Sequence, residues 1–400
     1  MVERIGIIGG GIVGIAVARA LSSSGDFEVT VLEKEARLAA HQTGHNSGVV
    51  HAGLYYQPGS LKAMLCSRGR EMTRDYCLER GLPYREVGKL VVALSEDETG
   101  RLDSIQQRAT ANQVPGLRRV SAEEMREIEP HVAGVAAVHS PHTAVVDYAA
   151  ITESMAGDVR SAGGSILLNQ EVTAISTTGG VTTVSTTSGT YGFDRLLVCA
   201  GLQSDILATM VGASPSPKIL PFRGEYWSMS TESASMIKGM IYPVPDPSFP
   251  FLGVHFTRGV YDDVHVGPNA VPALAREGYS WGKVSLKDTF DSITWPGAGV
   301  LAKQHWLMGF REISASLLKP LFFKQAQSFV PALKSSHLEA KTAAGVRAQA
   351  WNKDGSLLDD FAVDQVGSVT LLRNAPSPAA TSAMAIADYV LENFMKIAKR

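Results

Sequence analysis

Cysteine is scarce in this chain of 400 residues. Its three cysteines, Cys66, Cys77 and Cys199, are odd in number and show no CxxC spacing. That pattern excludes a disulfide framework and the usual zinc spacings, and it fits a reducing compartment. Net charge is nearly absent as well. Lys and Arg total 37 against 39 Asp and Glu, leaving −2, too little asymmetry for a nucleic-acid-binding surface. A membrane-spanning run is also lacking. Residues 5–21 are apolar enough to imitate a span or a secretion signal, but five glycines fall within Gly6–Gly14 and Arg19 interrupts the run. No signal-type basic region precedes it, so neither reading holds. Repeats and low-complexity tracts are missing too. The length allows two domains with a large core.

What is present begins at the N-terminus. An apolar strand at Arg4–Ile8 runs into Gly9-Gly10-Gly11-Ile12-Val13-Gly14, then an Ala-rich helical stretch to Leu21, then a second strand ending at Glu33. Each part suits a dinucleotide. Gly9 permits the tight turn, Gly11 lets the backbone approach a pyrophosphate, and Gly14 lets the helix pack close to the sheet. The helix start at Ile12 and Val13 offers free N–H groups to phosphate. Glu33, 22 residues after Gly11, is placed to bind a ribose, with Lys34 beside it. The acid disfavours NADP; FAD and NAD both fit this stretch alone.

Further along, His41 to Gly48 is polar and glycine-punctuated, a loop suited to pass under a large polar ligand. Leu61–Arg80 reads as an amphipathic helix stopped by Gly81. Residues 88–94 read as a strand and residues 95–130 as mainly helical. Asp147–Ala162 reads as a helix stopped by Gly163-Gly164. Strands follow at 165–168, 171–176, 181–187 and 191–200. This late return to a sheet makes the nucleotide domain discontinuous: residues 1–81, 147–212 and 341–400, with 82–146 and 213–340 forming a second domain. From residue 213 the pattern is mostly antiparallel strands (221–227, 240–243, 251–257, 264–268), followed by helices at 299–308 and 314–329. A small-residue turn, Asn374 to Thr381, and a helix over 379–397 close the chain and could form a second cradle for the same cofactor.

Together the Gly9–Gly14 loop, the stretch HQTGHNSGVVHAGLYY (His41–Tyr56), LGVHFT (Leu252–Thr257), GVRAQ (Gly345–Gln349) and NAPSPAAT (Asn374–Thr381) resemble the L-2-hydroxyglutarate dehydrogenase/oxidase family. That family belongs to the FAD-dependent D-amino-acid-oxidase-like superfamily. The resemblance spans nearly the whole chain with its motifs in order. It implies an α/β chain: a Rossmann-like FAD-binding domain of glutathione-reductase type and a mixed, mainly antiparallel sheet domain that shapes the substrate site. It implies FAD rather than NAD, no metal, and oxidation of L-2-hydroxyglutarate, a 2-hydroxy dicarboxylate, to 2-oxoglutarate. Electrons then pass to a quinone or to oxygen. A relative acting on glycine or sarcosine is the nearest alternative.

Oxidising a 2-hydroxy acid removes the hydroxyl proton and transfers a hydride from C2 to flavin N5, so the protein must supply a base and hold C2 in place. Of ten histidines, His255 and His51 are the candidates: one on a strand of the second domain, the other following the cofactor loop. A core histidine and a flavin-packing residue are the plainer alternatives. The substrate needs fixed cations, and Arg347 can grip a carboxylate through two parallel hydrogen bonds. The resemblance places an arginine there, although Ala348 replaces the usual proline. Arg223 and Lys62 are weaker candidates, and Tyr55, Tyr56 and Tyr226 can donate to a carboxylate or pack. For FAD, the resemblance adds Thr43, Asn46, Ser47 and Gly48 near the ribityl chain and ring, and Val172 at adenine. It places Ala200 and Gly201 by the pyrophosphate, and Ser377 and Thr381 near the pyrimidine end. Leu317 to Lys324 mixes bulky apolar residues with lysines, which fits core packing or contact with a membrane surface. The expected location is cytoplasmic, with peripheral contact on the inner face of the membrane as an open alternative.

Overall fold

A computed structural model describes residues 2–246 and 252–396. The Arg4–Ile8 segment forms the strand Glu3–Ile8, which pairs in parallel with Phe27–Leu32 on one side and Arg195–Val198 on the other. Ser165–Leu167 extends the sheet beyond Phe27–Leu32, and Val369–Asn374 extends it beyond Arg195–Val198, both in parallel. Ala362–Val366 closes that edge antiparallel. The order is therefore a six-stranded sheet in which residues from both ends of the chain meet. Its strands are apolar runs because both faces are covered: Ile5, Ile7, Ile15 and Val31 are fully buried in one core with the helices Ile12–Ser22, Tyr148–Ser161 and Ala379–Asn393. Parallel strands put their carboxyl ends along one edge, where ligands bind in such folds.

The helix Leu61–Arg80 begins at Ser60, whose side chain accepts from the Ala63 N–H, and stops at Gly81 in the left-handed conformation. Tyr148–Ser161 starts at Asp147, whose carboxylate accepts from Ala149 and Ala150. Both agree with the sequence reading, since caps are local signals. Elsewhere tertiary pairing overrides it. Residues 95–130 hold the helices Thr99–Ala111 and Ala122–Ile128 with a strand, Arg118–Ser121, between them. Residues 191–200 divide at Asp194 into Thr190–Phe193 and Arg195–Val198, in different sheets. The break expected near 309–313 is not there: one helix runs Pro296–Leu317 and a second Lys319–Phe329, with Pro320 in its first turn, where a missing N–H costs nothing. The last helix is described over Ala379–Asn393; its expected end at Ile397, and Phe251 of the LGVHFT region, lie outside the described residues.

The second large sheet has eight strands: Leu338–Lys341, Trp227–Met229, Val264–Gly267, His255–Arg258, Met240–Pro243, Lys89–Ala93, Ala136–Ser140 and Arg118–Ser121, in that order. Its two faces differ. Leu90, Val92, Ile241, Phe256, Val264 and Val266 form one core with Phe322 and Phe329. Alternation sends their neighbours the other way, so Lys89, Tyr242, His255 and Thr257 share the opposite face, where Met240 and Tyr242 pack on Val49 and Val145. A separate three-stranded sheet carries Gly345–Trp351 paired antiparallel with Lys218–Gly224, opposing Arg347 to Phe222.

Candidate functional site

At the carboxyl edge of the parallel sheet the chain leaves three strands through Gly9, Glu33 and Cys199. Gly9 has φ +113°, and a Cβ there would meet the Cys199 carbonyl oxygen at 2.4 Å. A Cβ on Gly14 would lie 2.0 Å from the Gly9 oxygen. No side chain fits either position, so the helix Ile12–Ser22 points its start at the strand edge with the backbone bare. Glu33 supports the loop directly: its carboxylate accepts from the Gly10 N–H at 2.6 Å and from the Glu35 N–H at 2.9 Å. Gly10 was not singled out in the sequence, and its N–H is what ties the acid to the loop. The Thr43 hydroxyl accepts from the Ile12 N–H at 3.0 Å, so Thr43 caps this helix start.

A cavity of about 720 Å³ opens along that edge, within the range of about 300–1,000 Å³ usual for small-molecule sites. Ile8, Gly9, Gly11, Ile12, Val13, Gly14, Glu33, Lys34 and Val172 line it, as do Thr43, Asn46, Ser47, Ala200, Gly201, Ser377 and Thr381. The same wall continues to His51, Lys62, Tyr226 and Arg347. Gly48 is not in the wall; its φ of +67° and its N–H bond to the Asn46 side chain (2.8 Å) shape the loop behind it. His255 and Tyr55 also stand outside the lining residues.

Beyond Glu33, the Lys34 ammonium is held at 2.6 Å from Glu277 and 2.7 Å from Glu35. His41 also bonds Glu35, at 2.8 Å. The hydrogen bonds from Lys34 and His41 hold the Glu35 carboxyl down at about 2. At the other end, Thr381 is a junction. Its hydroxyl accepts from the His51 N–H at 3.1 Å, bonds the Tyr148 hydroxyl at 2.9 Å and donates to the Val49 carbonyl. The hydroxyl expected near the cofactor ring thus fixes the His51 loop to the final helix. Ser377 contacts the His51 ring, Oγ to Nε2 3.2 Å.

The two candidate bases sit differently. His51 is in the cavity wall, and burial together with the charges of Lys89, Arg347 and Lys62 holds its imidazole well below the ordinary histidine value. His255 is only 4% exposed. Its Nδ1–H donates to the Gly253 carbonyl at 2.8 Å, since a carbonyl can only accept, and this leaves Nε2 as the ring's free lone pair. Burial, with Lys89 and Arg347 nearby, lowers His255 to about 3. Its ring packs against Tyr242 at a tilt of 30°, with centroids 3.9 Å apart. Arg347 lies on an exposed position of its strand and lines the cavity. Tyr226 lines it too, its hydroxyl raised by burial despite Arg347. Arg223 is instead a buried structural group, 3.3 Å from Glu225 and 4.2 Å above the Trp281 ring. Lys62 pairs with Asp359 at 2.7 Å.

The bare glycine cradle, the helix start and a long cavity running from an acid to a polar, cationic end fit an extended FAD. A family model described as FAD dependent oxidoreductase matches residues 4–393. The mitochondrial L-2-hydroxyglutarate dehydrogenase of Caenorhabditis elegans is 43% identical, covering 96% of this chain and 91% of its own. The L-2-hydroxyglutarate dehydrogenase of Indibacter alkaliphilus is 41% identical, covering 98% of each. Among solved structures, the FAD-bound L-alpha-glycerophosphate oxidase of Mycoplasma pneumoniae superposes with a TM-score of 0.80 at 24% identity, over 100% of this chain and 96% of that one. Glycine oxidase from Geobacillus kaustophilus gives 0.74 at 16% identity, over 99% and 96%. On the glycine cradle, the two large sheets and these similarities, the chain belongs to the FAD-dependent oxidoreductase family.

Proposed function

We propose that this protein oxidises L-2-hydroxyglutarate to 2-oxoglutarate. The observation that carries the reading is one cavity lined both by Arg347, Tyr226 and His51 and by a glycine cradle fitted to FAD, in a chain over 40% identical to two L-2-hydroxyglutarate dehydrogenases. FAD is held by the Gly9–Gly14 backbone, the Ile12 helix start and Glu33; when bound, it supplies the acceptor for the hydride on C2 of the substrate. The chain's own work is placement and proton transfer. Arg347 holds a carboxylate and Tyr226 donates to it. The hydroxyl proton goes to one of two imidazoles: His255, fixed as the Nδ1–H tautomer with Nε2 unprotonated, or His51 in the cavity wall. An incoming dianion raises the basicity of an imidazole that burial has lowered. The test is anaerobic mixing of the purified yellow protein with L- and D-2-hydroxyglutarate, lactate, glycine and sarcosine. Bleaching is expected with L-2-hydroxyglutarate far ahead of the rest; preferential bleaching by glycine or sarcosine would assign an amine oxidase instead.

The electron acceptor is a quinone or oxygen, and a membrane contact would favour the quinone. Among the described residues no helix is long and apolar enough to cross a membrane. The helix Leu286–Ile293, however, is turned inside out: none of its residues is buried, and Leu286, Phe290 and Ile293 are 84, 67 and 71% exposed. Asp288 faces inward, accepting from the Arg276 N–H; Lys283, just before the helix, is exposed, and Lys287 lines the cavity. That arrangement suits a bilayer interface better than the 317–324 stretch, where Phe322 is core. The protein is expected to co-float with anionic liposomes and to lose this on Phe290→Glu; a wild type that stays at the bottom of the gradient removes the contact.

A further inference from the structure

The polar face of the eight-stranded sheet holds a charge that the mechanism above does not use. Lys89 opens the strand Lys89–Ala93 and is 1% exposed. Its ammonium has no hydrogen-bond partner among the described residues and rests 3.9 Å from the centroid of the Tyr242 ring. Because Tyr242 also packs against His255, 3.9 Å between centroids with the planes tilted by 30°, lysine and histidine share one tyrosine ring. The Tyr55 hydroxyl is likewise buried without a partner. Tyr55 packs against the cluster containing Val91, two residues along the same strand face from Lys89. Two buried, unsatisfied donors beside one site are costly, and an unpaired buried cation more so. Burial lowers the lysine to about 7, with the Cys66 thiol acting against it; burial pushes that thiol up to about 12, so it is not an anion.

Position indicates what the pair awaits. His51 and His255 both lie in the field of Lys89 and of Arg347, so two cations act on the neighbourhood of the imidazoles. A 2-hydroxy dicarboxylate brings two anions, one carboxylate next to the reacting carbon and a second at the far end of the chain.

We propose that Lys89 is the buried counter-charge for the second carboxylate of the substrate, acting through space from behind the cavity wall, with the unpartnered Tyr55 hydroxyl adding its dipole. Neither residue is in the cavity wall, and the low dielectric behind that wall strengthens a charge acting there. This inference rests on the dicarboxylate reading above, and the two fail separately. If L-2-hydroxyglutarate does not bleach the wild-type flavin, the function is wrong.

The test of the subsite is selectivity. L-2-hydroxypentanoate has the same five-carbon chain without the second carboxylate. Lys89→Met is expected to lower kcat/KM for anaerobic flavin reduction by L-2-hydroxyglutarate by about 10- to 100-fold, and by less than about twofold for L-2-hydroxypentanoate. FAD content should be unchanged and the melting temperature equal or higher, because removing an unpaired buried charge relieves a cost. Tyr55→Phe should give a smaller loss in the same direction, and it decides the matter alone if Lys89→Met does not fold. Equal losses on both substrates, or no loss on either, would overturn the assignment.

Discussion

His255→Asn is expected to slow anaerobic flavin reduction by about 10²–10⁴-fold, the usual contribution of a positioned base, while FAD stays bound. Asparagine keeps a donor toward the Gly253 carbonyl and so preserves the local backbone, but it offers no basic nitrogen at the Nε2 position. The wild-type pH profile adds a second readout. The imidazole works only when neutral, and burial lowers it to about 3. The acid limb of kcat/KM for the free enzyme should therefore fall below the ordinary histidine value of about 6.5, with activity present above the shifted value and lost as pH drops through it. His51→Asn is the control. Its Nε2 is engaged by Ser377 and its backbone is tied to Thr381, so a smaller loss is expected, dominated by cofactor seating. If His51→Asn gives the larger loss and His255→Asn moves only the melting temperature, the roles are exchanged.

Arg347→Met is expected to raise the apparent KM and to cost about 1.5–3 kcal/mol in kcat/KM, the range for a hydrogen bond to a charged group. That corresponds to roughly 10- to 150-fold. The flavin spectrum should be unchanged. The strand Gly345–Trp351 is held by its full pairing with Lys218–Gly224, so its backbone does not depend on the side chain. Ala348, where the resemblance leads one to expect proline, keeps its N–H available to that ladder. Arg347→Lys should recover only part of the loss, because an ammonium cannot make the two parallel bonds of a guanidinium. Titration of the variant with L-2-hydroxyglutarate decides it: unchanged half-saturation would place Arg347 outside the substrate site.

Local backbone geometry is legible in the sequence. Gly9 makes its positive-φ turn and Gly14 packs with no room for a Cβ, because both follow from six consecutive residues. Ser60 and Gly81 bound their helix for the same reason. What escaped depends on distance. Lys89 looks like an ordinary charged residue at the start of an apolar strand; only its pairing with Met240, about 150 positions later, buries it beside Tyr242. Thr43 and Thr381 line the cavity, but their hydroxyls cap a helix and lock a loop, which no local pattern announces. The outward apolar face of Leu286–Ile293 was invisible because periodicity reports that a face exists and not which way it points.

The junction at Thr381 also bears on when the site can exist. Strand Val369–Asn374 completes the sheet begun by Glu3–Ile8, and Thr381 secures His51 across 330 positions. Contacts of such sequence separation form late, after the loop between them has been closed. On the ribosome, the glycine cradle is made first and must wait for nearly the whole chain before its far wall arrives. FAD capture is thus a closing event of synthesis, and a nascent chain lacking residues 369–381 has no complete cavity to offer it.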